Sequence, residues 1–382
     1  MERRRLDMET KPVRILHVLG ELNRGGAETM VMNLYRSIDR NRLQFDFIIH
    51  GDGVYDYTQE ILSLGGRIYK VKRYNGKNHI GYVKAWKSFF GKYPEYKIIH
   101  GHVRSTASIY LSLAKKNGLL TISHSHSTSS GIGLSSVVKN LLQYPIRYIA
   151  DYFFACSNSA GIWLFGKKTS KKDNFFVINN AINTKEFIID FEKRKMKRKE
   201  LGVSEKFVIG HVGRFGTEKN HEFLIDIFNE VYLRNRNSVL VLVGDGEQKQ
   251  RIQQKVKKLD LSSNVIFTGV RSDIPDLLRA MDVFVFPSLF EGLPVTLVEA
   301  QASGLPCIVS NNITEEIKIT SLIKSISLNN DAGYWAENIL KFAKSKKRGN
   351  TYSDIVNSNY DISLSAISYQ NFMLNKYEEL KV

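Results

Sequence analysis

The chain has 382 residues, of which 43% are hydrophobic and 24% charged, a composition typical of a globular protein with room for two domains. The length excludes a small disulfide-stapled scaffold, and the two cysteines, Cys156 and Cys307, lie in apolar runs where free buried thiols are common, which favours a reducing cytoplasm. The formal net charge of +17 predicts an acidic partner such as phosphate, nucleic acid or an anionic membrane.

The basic excess is concentrated in the first half of the chain. Residues 1–180 carry 27 Lys and Arg against 13 Asp and Glu, a net charge of +14, whereas residues 181–382 carry 28 against 25, a net charge of +3. Because a non-specific electrostatic coat would be spread more evenly, this asymmetry indicates that one domain faces an acidic partner.

Apolar runs of strand length alternate with amphipathic helical runs, which is the pattern of parallel βαβ units. The opening MERRRLDMETK leads into VRILHVLG, which is too short for a membrane span and has no cleavage site, so we expect neither a signal peptide nor a membrane span. A helix is predicted over Ala27–Ser37. The strands predicted in the first half are Arg14–Leu19, Phe45–Ile49, Arg67–Val71, Ile98–His102, Leu120–Ser123, Tyr152–Ala155 and Phe175–Ile178.

The strand pattern restarts after a charged connector, FEKRKMKRKELGV (191–203), which is predicted to be helical. The runs FVIGHVG, VLVLVG, NVIFTG, VFVFPS and PCIVS follow as strands. We therefore predict an α/β protein with two doubly wound Rossmann-like domains, 1–190 and 191–360, that face one another across a cleft. Ligands of such folds bind at the carboxyl ends of the strands.

The motif LNRGGAET (22–29) lies between a predicted strand and a predicted helix. Adjacent glycines at Gly25 and Gly26 allow the backbone to approach a ligand, and their N–H groups, with those of the helix N-terminus, suit a diphosphate. A tight turn without a ligand would have the same sequence.

The motif HVGRFGTEKN (211–220) also follows a strand. Arg214 and Lys219 are five residues apart across a flexible turn, so both cations can converge on one anion, Arg as a bidentate donor and Lys as a point charge. Two bases near a loop are also common as solvated surface residues. Their position after a strand of the nearly neutral half favours a binding role.

The segment FPSLFEGLPVTLVEAQASGLPCIVS (286–310) is the most informative. Pro294 suits the first turn of a helix, which places Glu291 in the loop at the helix N-terminus and Glu299 about one and a half turns inside. A phosphate at the helix N-terminus would leave the two carboxylates to accept hydrogen bonds from ligand hydroxyls. Alternatively, one Glu stabilises the helix dipole and the other is an ordinary surface residue.

Glu291 and Glu299, separated by seven residues in EGLPVTLVEA, resemble the EX7E motif of glycosyltransferase family 4 (group 1), the retaining nucleotide-sugar transferases of the two-domain GT-B fold. The GGAE motif, the Gly-Arg-x4-Lys pattern formed by Gly213, Arg214 and Lys219, VGDGE, and FTGVRSDIPDLLRAMDVFVFPSLFEG extend the resemblance.

The resemblance covers nearly the whole chain. It is densest over residues 205–310 and thin over 51–95 and 311–382. The chain is similar in particular to bacterial exopolysaccharide and capsular polysaccharide glycosyltransferases. In the GT-B fold, a C-terminal helix at about 361–382 would pack back on the N-terminal domain.

The resemblance implies a role for each matched position. Arg214 and Lys219 would neutralise the donor diphosphate. Glu299 would accept hydrogen bonds from the ribose hydroxyls, and Glu291 would contact hydroxyls of the donor sugar. The donor-binding positions implied in this way are Gly25, Gly26, Gly213, Arg214, Lys219, Glu291, Gly292, Leu293, Pro294 and Glu299.

No metal and no other cofactor is expected beyond the UDP-sugar substrate. In enzymes of this kind, the two bases and the helix dipole take the stabilising role that a cation has in other transferases. The sequence shows no DxD-like motif and no His/Cys cluster with ligand spacing, which agrees with this expectation.

Three histidines are candidates for the reaction centre. The family often places a His beside the donor sugar at the end of a first-domain strand, and His124 in TISHSHSTSS fits that position. His126, two residues further, is its competitor, and His102 after KIIHGH is a third candidate. Sequence alone does not separate a catalytic imidazole from one that orients a loop.

The resemblance also implies the stereochemical course. In a retaining transfer, the acceptor hydroxyl attacks from the face that the diphosphate leaves, through an oxocarbenium-like state, and the leaving phosphate oxygen accepts the proton. A double displacement would need a carboxylate nucleophile close to the anomeric carbon, and no residue is assigned that role.

We expect the acceptor-binding site and any membrane-binding surface to lie in the basic first domain. Residues 67–97 interleave Lys and Arg with aromatic residues, and residues 133–150 form an apolar stretch with Lys139 and Arg147. Such surfaces suit an anionic membrane, and the same composition suits single-stranded nucleic acid. Helices packed on their own sheet, with exposed Lys heads, would also have this sequence.

We therefore predict a cytoplasmic hexosyltransferase-type enzyme, peripheral at the inner face of the cell membrane, that transfers a sugar from a UDP-sugar to a lipid-linked or oligosaccharide acceptor without binding nucleic acid. Two alternatives are another nucleotide-sugar enzyme of the same fold, such as an epimerase, and a basic membrane or nucleic-acid-binding protein with a degenerate site. Donor turnover without any acceptor would favour the epimerase, and lack of stabilisation by UDP would favour the binding protein.

Overall fold

The computed structural model describes residues 11–127, 134–291 and 293–381, which form two compact units. Unit 1 consists of Met1–Ala181 with Ile362–Val382, and unit 2 of Ile182–Asp361. Throughout the described residues, no helix is both long and apolar enough to cross a membrane.

Unit 1 is built on a parallel sheet whose strands alternate with helices. The strands are β1 (Val13–Leu19), β2 (Leu43–Ile49), β3 (Ile68–Lys70), β4 (Ile98–Gly101), β5 (Leu120–Ser125), β6 (Tyr152–Ala155) and β7 (Phe175–Val177). They lie in the order β3-β2-β1-β4-β5-β6-β7. The helices are α1 (Gly26–Ser37), α2 (Thr58–Ser63), α3 (His79–Lys92), α4 (Ala107–Lys116), α5 (Leu134–Gln143), α6 (Ile146–Ile149) and α7 (Asn158–Phe165), with a 3₁₀ turn at Thr169–Lys171.

All seven strands predicted for the first half are present, and the helix predicted over Ala27–Ser37 is α1. The main difference is at the end of β5, which extends to Ser125 because β6 continues to pair with it, His124 opposite Phe154 and Ser125 opposite Ala155. His124 therefore lies inside the strand, and His126 is the first residue after it.

Unit 2 has the same architecture. Its elements are α8 (Thr184–Phe187), α9 (Phe191–Glu200), β8 (Phe207–Val212), α10 (His221–Arg234), β9 (Ser238–Val243), α11 (Lys249–Lys258), β10 (Val265–Gly269), α12 (Ile274–Ala280), β11 (Val283–Phe286), α13 (Val295–Ala302), β12 (Cys307–Ser310), β13 (Ile323–Ile326), α14 (Ala332–Ser345) and α15 (Tyr352–Asn357), with 3₁₀ turns at Thr217–Lys219 and Glu315–Ile317. The strands are parallel, in the order β10-β9-β8-β11-β12-β13.

The strand order of each sheet reverses at one point. In unit 1 the reversal lies between β1 and β4, and in unit 2 between β8 and β11. At such a switch point the loops leave neighbouring strands in opposite directions and open a crevice at the carboxyl ends, where ligands of doubly wound sheets bind. The geometry of these two switch points therefore decides where each unit can bind a ligand.

The charged connector at 191–203 forms helix α9, which is attached firmly to unit 2. Asp282 accepts hydrogen bonds from Arg194 and Arg198 of α9, at 3.1 Å in the case of Arg198 Nη1, and from the backbone N–H of Val208 at 2.8 Å. This carboxylate joins α9 to the amino-terminal ends of β8 and β11, so the connector is a structural element of the unit.

The last helix, α16 (Ile362–Glu379), belongs to unit 1. Ile362, Ala366, Tyr369 and Met373 form a buried stripe at helical spacing that packs in the same apolar cluster as residues of α1. The Gln370 side chain accepts a 2.7 Å hydrogen bond from the backbone N–H of Asp39, just after α1. The last helix thus completes one face of the first sheet.

Candidate functional site

The switch point of unit 2 holds an ion pair between two residues that the sequence singled out. Lys219 Nζ lies 2.6 Å from Glu291 Oε1, and the two side chains are 15% and 14% exposed. The turn after β8 and the loop after β11 are held together beside this pair, because Leu289 donates its N–H to the Glu218 carbonyl at 2.8 Å and the Asn220 amide donates to the Pro287 carbonyl at 3.1 Å. Two loops at the sheet edge thus form one rigid structure.

Arg214 lies at the same edge but contacts a different carboxylate. Its Nη2 is 3.0 Å from Glu247 Oε2, and its side chain is 71% exposed. The loop that carries Glu247 is fixed by hydrogen bonds of Phe215, whose N–H donates to Asp245 at 2.9 Å and whose carbonyl accepts from Gln248 at 3.0 Å. Arg214 and Lys219 are therefore paired with separate acidic residues.

A close backbone contact at Gly213 requires glycine at position 244. Gly244 has φ +137, and a Cβ there would lie 2.1 Å from the Gly213 carbonyl oxygen. A Cβ on Gly213 would itself lie 3.1 Å from Nε2 of the buried His211. The chain after β8 thus runs directly against the chain after β9, which keeps the backbone of both loops close to the switch point.

Glu299 lies in the second turn of α13 and is partly buried. In the described part of the chain, neither a hydrogen bond nor an ion pair engages its carboxylate, and removal from water raises its pKa to about 7. A carboxylate that is desolvated and without a partner is poised to accept hydrogen bonds from a ligand.

Glu291 has a raised pKa as well, because burial outweighs the opposing effect of the nearby Lys219 cation. Pro294 is the N-cap of α13 and has no side-chain acceptor, so the first N–H groups of the helix are left for water or a ligand. The Leu293 side chain is buried in the apolar core, and Gly292 lies outside the described residues.

Gly25 and Gly26 lie at the switch point of unit 1. Gly25 is the N-cap of α1, and Gly26 is the first helical residue. A Cβ on Gly26 would meet no atom within 4 Å, whereas one on Gly25 would meet the Glu28 carboxylate. The N-terminus of α1 is therefore open at Gly26, with Glu28 folded against the cap.

A cavity of about 380 Å³ adjoins this helix N-terminus within unit 1. It lies at the carboxyl ends of β1, β2 and β4, and its polar lining includes Glu21, Glu28, His50, Arg73 and Ser105. The sequence reasoning did not identify this cavity, because its residues come from several loops with no common motif.

Five histidines meet on one face of the unit 1 sheet, where the apolar pattern of the strands would place Ile or Val. His17 on β1 is paired in register with His100 on β4, and His124 lies two residues beyond the partner of His100 on β5. His102 and His126 each lie two residues beyond His100 and His124, just after the ends of β4 and β5. Because side chains two apart share a face, all five lie together.

These imidazoles are hydrogen-bonded to each other in two chains. In the first, His17 Nδ1 is 3.0 Å from His102 Nε2, and His102 Nδ1 is 2.8 Å from His126 Nε2. In the second, His100 Nε2 is 3.1 Å from His124 Nδ1. Burial lowers the pKa of His17 and of His126 to about 3 and lowers that of His124 well below its ordinary value, so the rings are neutral at pH 7.

Two triads of this cluster have ligand nitrogens within 4.8 Å of one another, namely His17 with His100 and His102, and His102 with His124 and His126. The spacing of the histidines along the sequence did not reveal this cluster, because the pairing of separate strands brings them together. Two nitrogens on one tetrahedral zinc ion would be about 3.3 Å apart. The 3.0 and 2.8 Å separations here are those of direct N–H···N hydrogen bonds, which use the lone pairs that a metal would need.

The two segments considered for membrane contact differ. In residues 67–97, the aromatic side chains Tyr82, Trp86, Phe89 and Phe90 of α3 are buried in the core of unit 1, while Lys84 and Lys87 are exposed. In α5 and the residues after it, apolar side chains are exposed instead: Val137, Val138, Leu141, Tyr144 and Tyr148. Within the described residues 67–97, the exposed large aliphatic side chain is Ile80 alone, whereas the second segment presents several exposed apolar side chains close together.

Two doubly wound parallel sheets, with basic and acidic side chains and uncapped helix N-termini at their switch points, define an α/β protein of the Rossmann-like class. The comparisons with known proteins are more specific. The family model described as Glycosyl transferases group 1 matches residues 192–357, and that of Glycosyltransferase Family 4 matches residues 24–186.

Known glycosyltransferases are similar in sequence to this chain over most of its length. It is 37% identical over 344 residues to the "putative glycosyltransferase EpsF" of Bacillus subtilis, covering 88% of this chain and 89% of that protein. It is 30% identical over 250 residues to the Escherichia coli "UDP-Gal:alpha-D-GlcNAc-diphosphoundecaprenol alpha-1,3-galactosyltransferase", covering 61% of this chain and 64% of the relative.

The crystal structure of Anabaena HepE in complex with UDP is similar in fold, with a TM-score of 0.76 and 17% identity over 95% of this chain and 99% of that one. The chain therefore belongs to the group 1, family 4 glycosyltransferases. It has the GT-B fold and is an enzyme of the hexosyltransferase type.

Proposed function

We propose that this enzyme transfers a sugar, with retention of anomeric configuration, from a UDP-sugar to a lipid-linked glycan acceptor during assembly of a bacterial exopolysaccharide or capsular polysaccharide. The observation that carries the proposal is the switch point of unit 2, where the Lys219–Glu291 ion pair lies close to the N-terminus of α13 and that helix also carries the unengaged Glu299 carboxyl. The site combines cations for a diphosphate with carboxylates for hydroxyls.

In this proposal the donor lies along that edge of unit 2. The diphosphate takes the ammonium of Lys219, the guanidinium of Arg214 and the free N–H groups of α13, since all three favour negative charge. Glu299 accepts hydrogen bonds from the ribose hydroxyls, and Glu291 contacts hydroxyls of the donor sugar. UDP is favoured because HepE was solved with UDP and because the Escherichia coli relative is named for a UDP-sugar.

The transfer itself is proposed to need little covalent chemistry from the protein. The acceptor oxygen bonds to the anomeric carbon as the bond to the diphosphate breaks, and the acceptor proton passes to the departing phosphate oxygen. Lys219 and Arg214 stabilise the charge that develops on the diphosphate. The same two cations take the place of a divalent metal, so the proposed reaction is metal-independent.

The acceptor is assigned to unit 1 in this proposal. The cavity beside the N-terminus of α1 offers carboxylates for sugar hydroxyls at Glu21 and Glu28, and a cation for phosphate at Arg73. A lipid diphosphate acceptor has both chemistries, and the name of the Escherichia coli relative includes a diphosphoundecaprenol-linked sugar.

A lipid-linked acceptor requires contact with a membrane, and α5 is the proposed contact. Val137 and Leu141 lie four residues apart on α5 and are exposed, as are Tyr144 and Tyr148 just after this helix, and Lys139 on α5 is exposed as well. The net charge of +14 over residues 1–180 suits the anionic inner face of the cell membrane.

The experiment that tests the proposal is a thermal-shift screen with UDP-, GDP- and ADP-sugars, followed by product analysis with lipid-linked acceptors. We expect stabilisation by UDP and by one UDP-sugar, and a product that keeps the donor's anomeric configuration. Stabilisation by another nucleotide alone, or an inverted product, would refute the proposal. Membership of the transferase families leaves no support for the epimerase or the binding-protein alternative.

A further inference from the structure

A hydrogen-bonded chain in unit 1 runs from the last helix to His124. Tyr369 Oη on α16 lies 2.8 Å from His100 Nδ1, and His100 Nε2 lies 3.1 Å from His124 Nδ1. All three side chains are almost completely buried. The two imidazole rings are nearly coplanar, with an interplanar angle of 8°, as required when an N–H in one ring plane points at a lone pair in the other.

The direction of this chain follows from the available protons. Both histidines are neutral at pH 7, because burial lowers their pKa well below the ordinary value, so each ring has one N–H and one lone pair. Burial raises the pKa of Tyr369, so the hydroxyl keeps its proton. Among the described residues, its hydrogen-bond partner is His100 Nδ1, so the hydroxyl donates to that nitrogen.

The remaining protons are then determined. Since His100 Nδ1 accepts, the His100 proton is on Nε2 and is donated to His124 Nδ1. Since His124 Nδ1 accepts, its own proton is on Nε2. That nitrogen is buried, and no described residue accepts a hydrogen bond from it. A buried N–H without an acceptor is costly unless a ligand supplies one.

We infer that Tyr369 and His100 are positioning residues which fix the tautomer of His124, so that His124 presents an N–H donor, and not a lone pair, to an oxygen atom of the substrate. This inference rests on the proposed function only for the identity of that oxygen, a hydroxyl of a sugar substrate. It gives the C-terminal helix a role in the chemistry of unit 1 and assigns His124 as a hydrogen-bond donor and not a general base.

The inference predicts a measurable tautomer. The chain has nine histidines, and the His124 resonances are identified by comparing ¹⁵N-labelled protein with the His124→Gln variant. We expect His124 of the free protein at pH 7.5 to be the Nε2–H tautomer. In Tyr369→Phe, which removes the constraint, a second tautomer should become populated. Tyr110→Phe is the matched control, since it removes another buried hydroxyl of unit 1 that donates to the Val103 carbonyl at 2.9 Å.

Two variants of His100 with side chains of similar size distinguish a role in fixing the His124 tautomer from a role in packing alone. In His100→Gln the side-chain amide can still accept from Tyr369 and donate to His124, whereas in His100→Glu the carboxylate only accepts and draws the His124 proton to Nδ1. We expect turnover within about threefold of wild type for the first and about 100-fold lower for the second, the usual cost of one oriented donor.

The inference is overturned if wild-type His124 is the Nδ1–H tautomer, if Tyr369→Phe leaves the tautomer unchanged, or if the Gln and Glu variants have equal turnover. Should the Glu variant fail to fold, the wild-type, Tyr369→Phe and His100→Gln spectra still decide the matter. The tautomer is read without any substrate, so a correct tautomer in a protein that UDP-sugars neither stabilise nor react with would refute the proposed function alone.

Discussion

Lys219 and Glu291 form a 2.6 Å ion pair that joins the turn after β8 to the loop before α13. The sequence assigned these residues to different parts of the donor, yet without a donor they neutralise one another. In the proposed donor site, a diphosphate therefore competes with Glu291 for the Lys219 cation. A sugar hydroxyl that donates to Glu291 would compensate for this loss, so the proposal has the pair couple recognition of the two halves of the donor.

The interaction between Lys219 and Glu291 should stabilise the folded protein. Lys219→Ala leaves the mostly buried Glu291 carboxyl without a cation, and we expect it to lower the free energy of unfolding by about 2 kcal/mol. The double variant Lys219→Ala with Glu291→Ala should cost less than the sum of the singles, with a coupling of at least about 1 kcal/mol by chemical denaturation. The exposed pair Lys249–Asp245 is the control, with an expected coupling under about 0.5 kcal/mol. Equal couplings for the two pairs would contradict this prediction.

Arg214→Ala should separate activity from stability. Because the side chain is 71% exposed and pairs with Glu247 at the surface, we expect the free energy of unfolding to change by less than about 0.5 kcal/mol. Turnover should fall by about 100-fold or more if the guanidinium stabilises the leaving diphosphate. Arg251→Ala, 69% exposed and paired with Glu222, is the matched control and should keep full activity. Normal steady-state rates for Arg214→Ala would remove Arg214 from the site.

Glu299→Gln should become more stable than wild type as the pH rises, although it loses activity. The carboxyl pKa is about 7 in the folded protein against an ordinary value of 4.5, so the folded state holds a proton that the unfolded chain has released between these values. Stability contributed by Glu299 is therefore complete below pH 4.5 and is lost as the pH rises through 7.

The side-chain amide of the Glu299→Gln variant does not ionise, so the variant does not lose this stability as the pH rises. We expect the melting temperature of Glu299→Gln to equal that of wild type near pH 4.5 and to exceed it by about 2–6 °C at pH 8. Glu337→Gln, an exposed residue of α14, should show no such difference. A variant that is less stable than wild type at pH 8 would show that the Glu299 carboxylate has a stabilising partner.

Chelation tests the proposed absence of a metal. After dialysis against EDTA, we expect transferase activity and melting temperature to remain within experimental error, since the cations of the site are side chains. Loss of activity that Mn²⁺ or Zn²⁺ restores would refute metal independence.

The apolar surface of α5 should govern membrane binding. Leu141 is 70% exposed, so Leu141→Asp should leave the fold intact while it lowers binding to vesicles with anionic lipid by about fivefold or more in a sedimentation assay. Val270→Asp, at a position of unit 2 that is 69% exposed, is the control and should bind as wild type does. Binding should weaken at high salt, and equal effects of the two substitutions would remove α5 from the interface.

The central strands could be predicted because they are buried on both faces. Runs such as FVIGHVG and VLVLVG are almost entirely apolar, which is typical of a parallel sheet covered by helices. Strand β13 was missed because it is a short edge strand that pairs only with β12 and includes Lys324 and Ser325. An edge strand of four residues with polar side chains has no pattern that distinguishes it from a loop.

The histidine cluster could not be predicted, since it depends on register. His17, His100 and His124 are separated by 83 and 24 residues in the chain, and only the pairing of β1, β4 and β5 brings them together. Each of the three histidines interrupts an apolar strand at a position that faces the core, and this much can be recognised from the sequence alone. Which histidines meet, and which nitrogen each offers, follows only from the structure.

For the candidate site of unit 2, the sequence predicted the two glutamates and the two bases from residue type and spacing. It did not show that Lys219 is already paired with Glu291, or that Glu247 holds Arg214. Such pairings depend on rotamers and on loops that meet across the sheet edge. Local motifs therefore locate a site more readily than they describe its unliganded electrostatics.

The path of the chain has a consequence for biosynthesis. The ribosome delivers β1–β7 early, but α16, which covers one face of their sheet, is made only after the whole of residues 182–361. At ordinary elongation rates this interval lasts roughly 10–40 s. During that time the apolar surface of unit 1 that Ala366, Tyr369 and Met373 later cover is exposed to water. Nascent unit 1 is therefore a natural client for chaperones, and a stop codon at Ile362, which removes α16, would leave unit 1 unfinished while unit 2 folds normally.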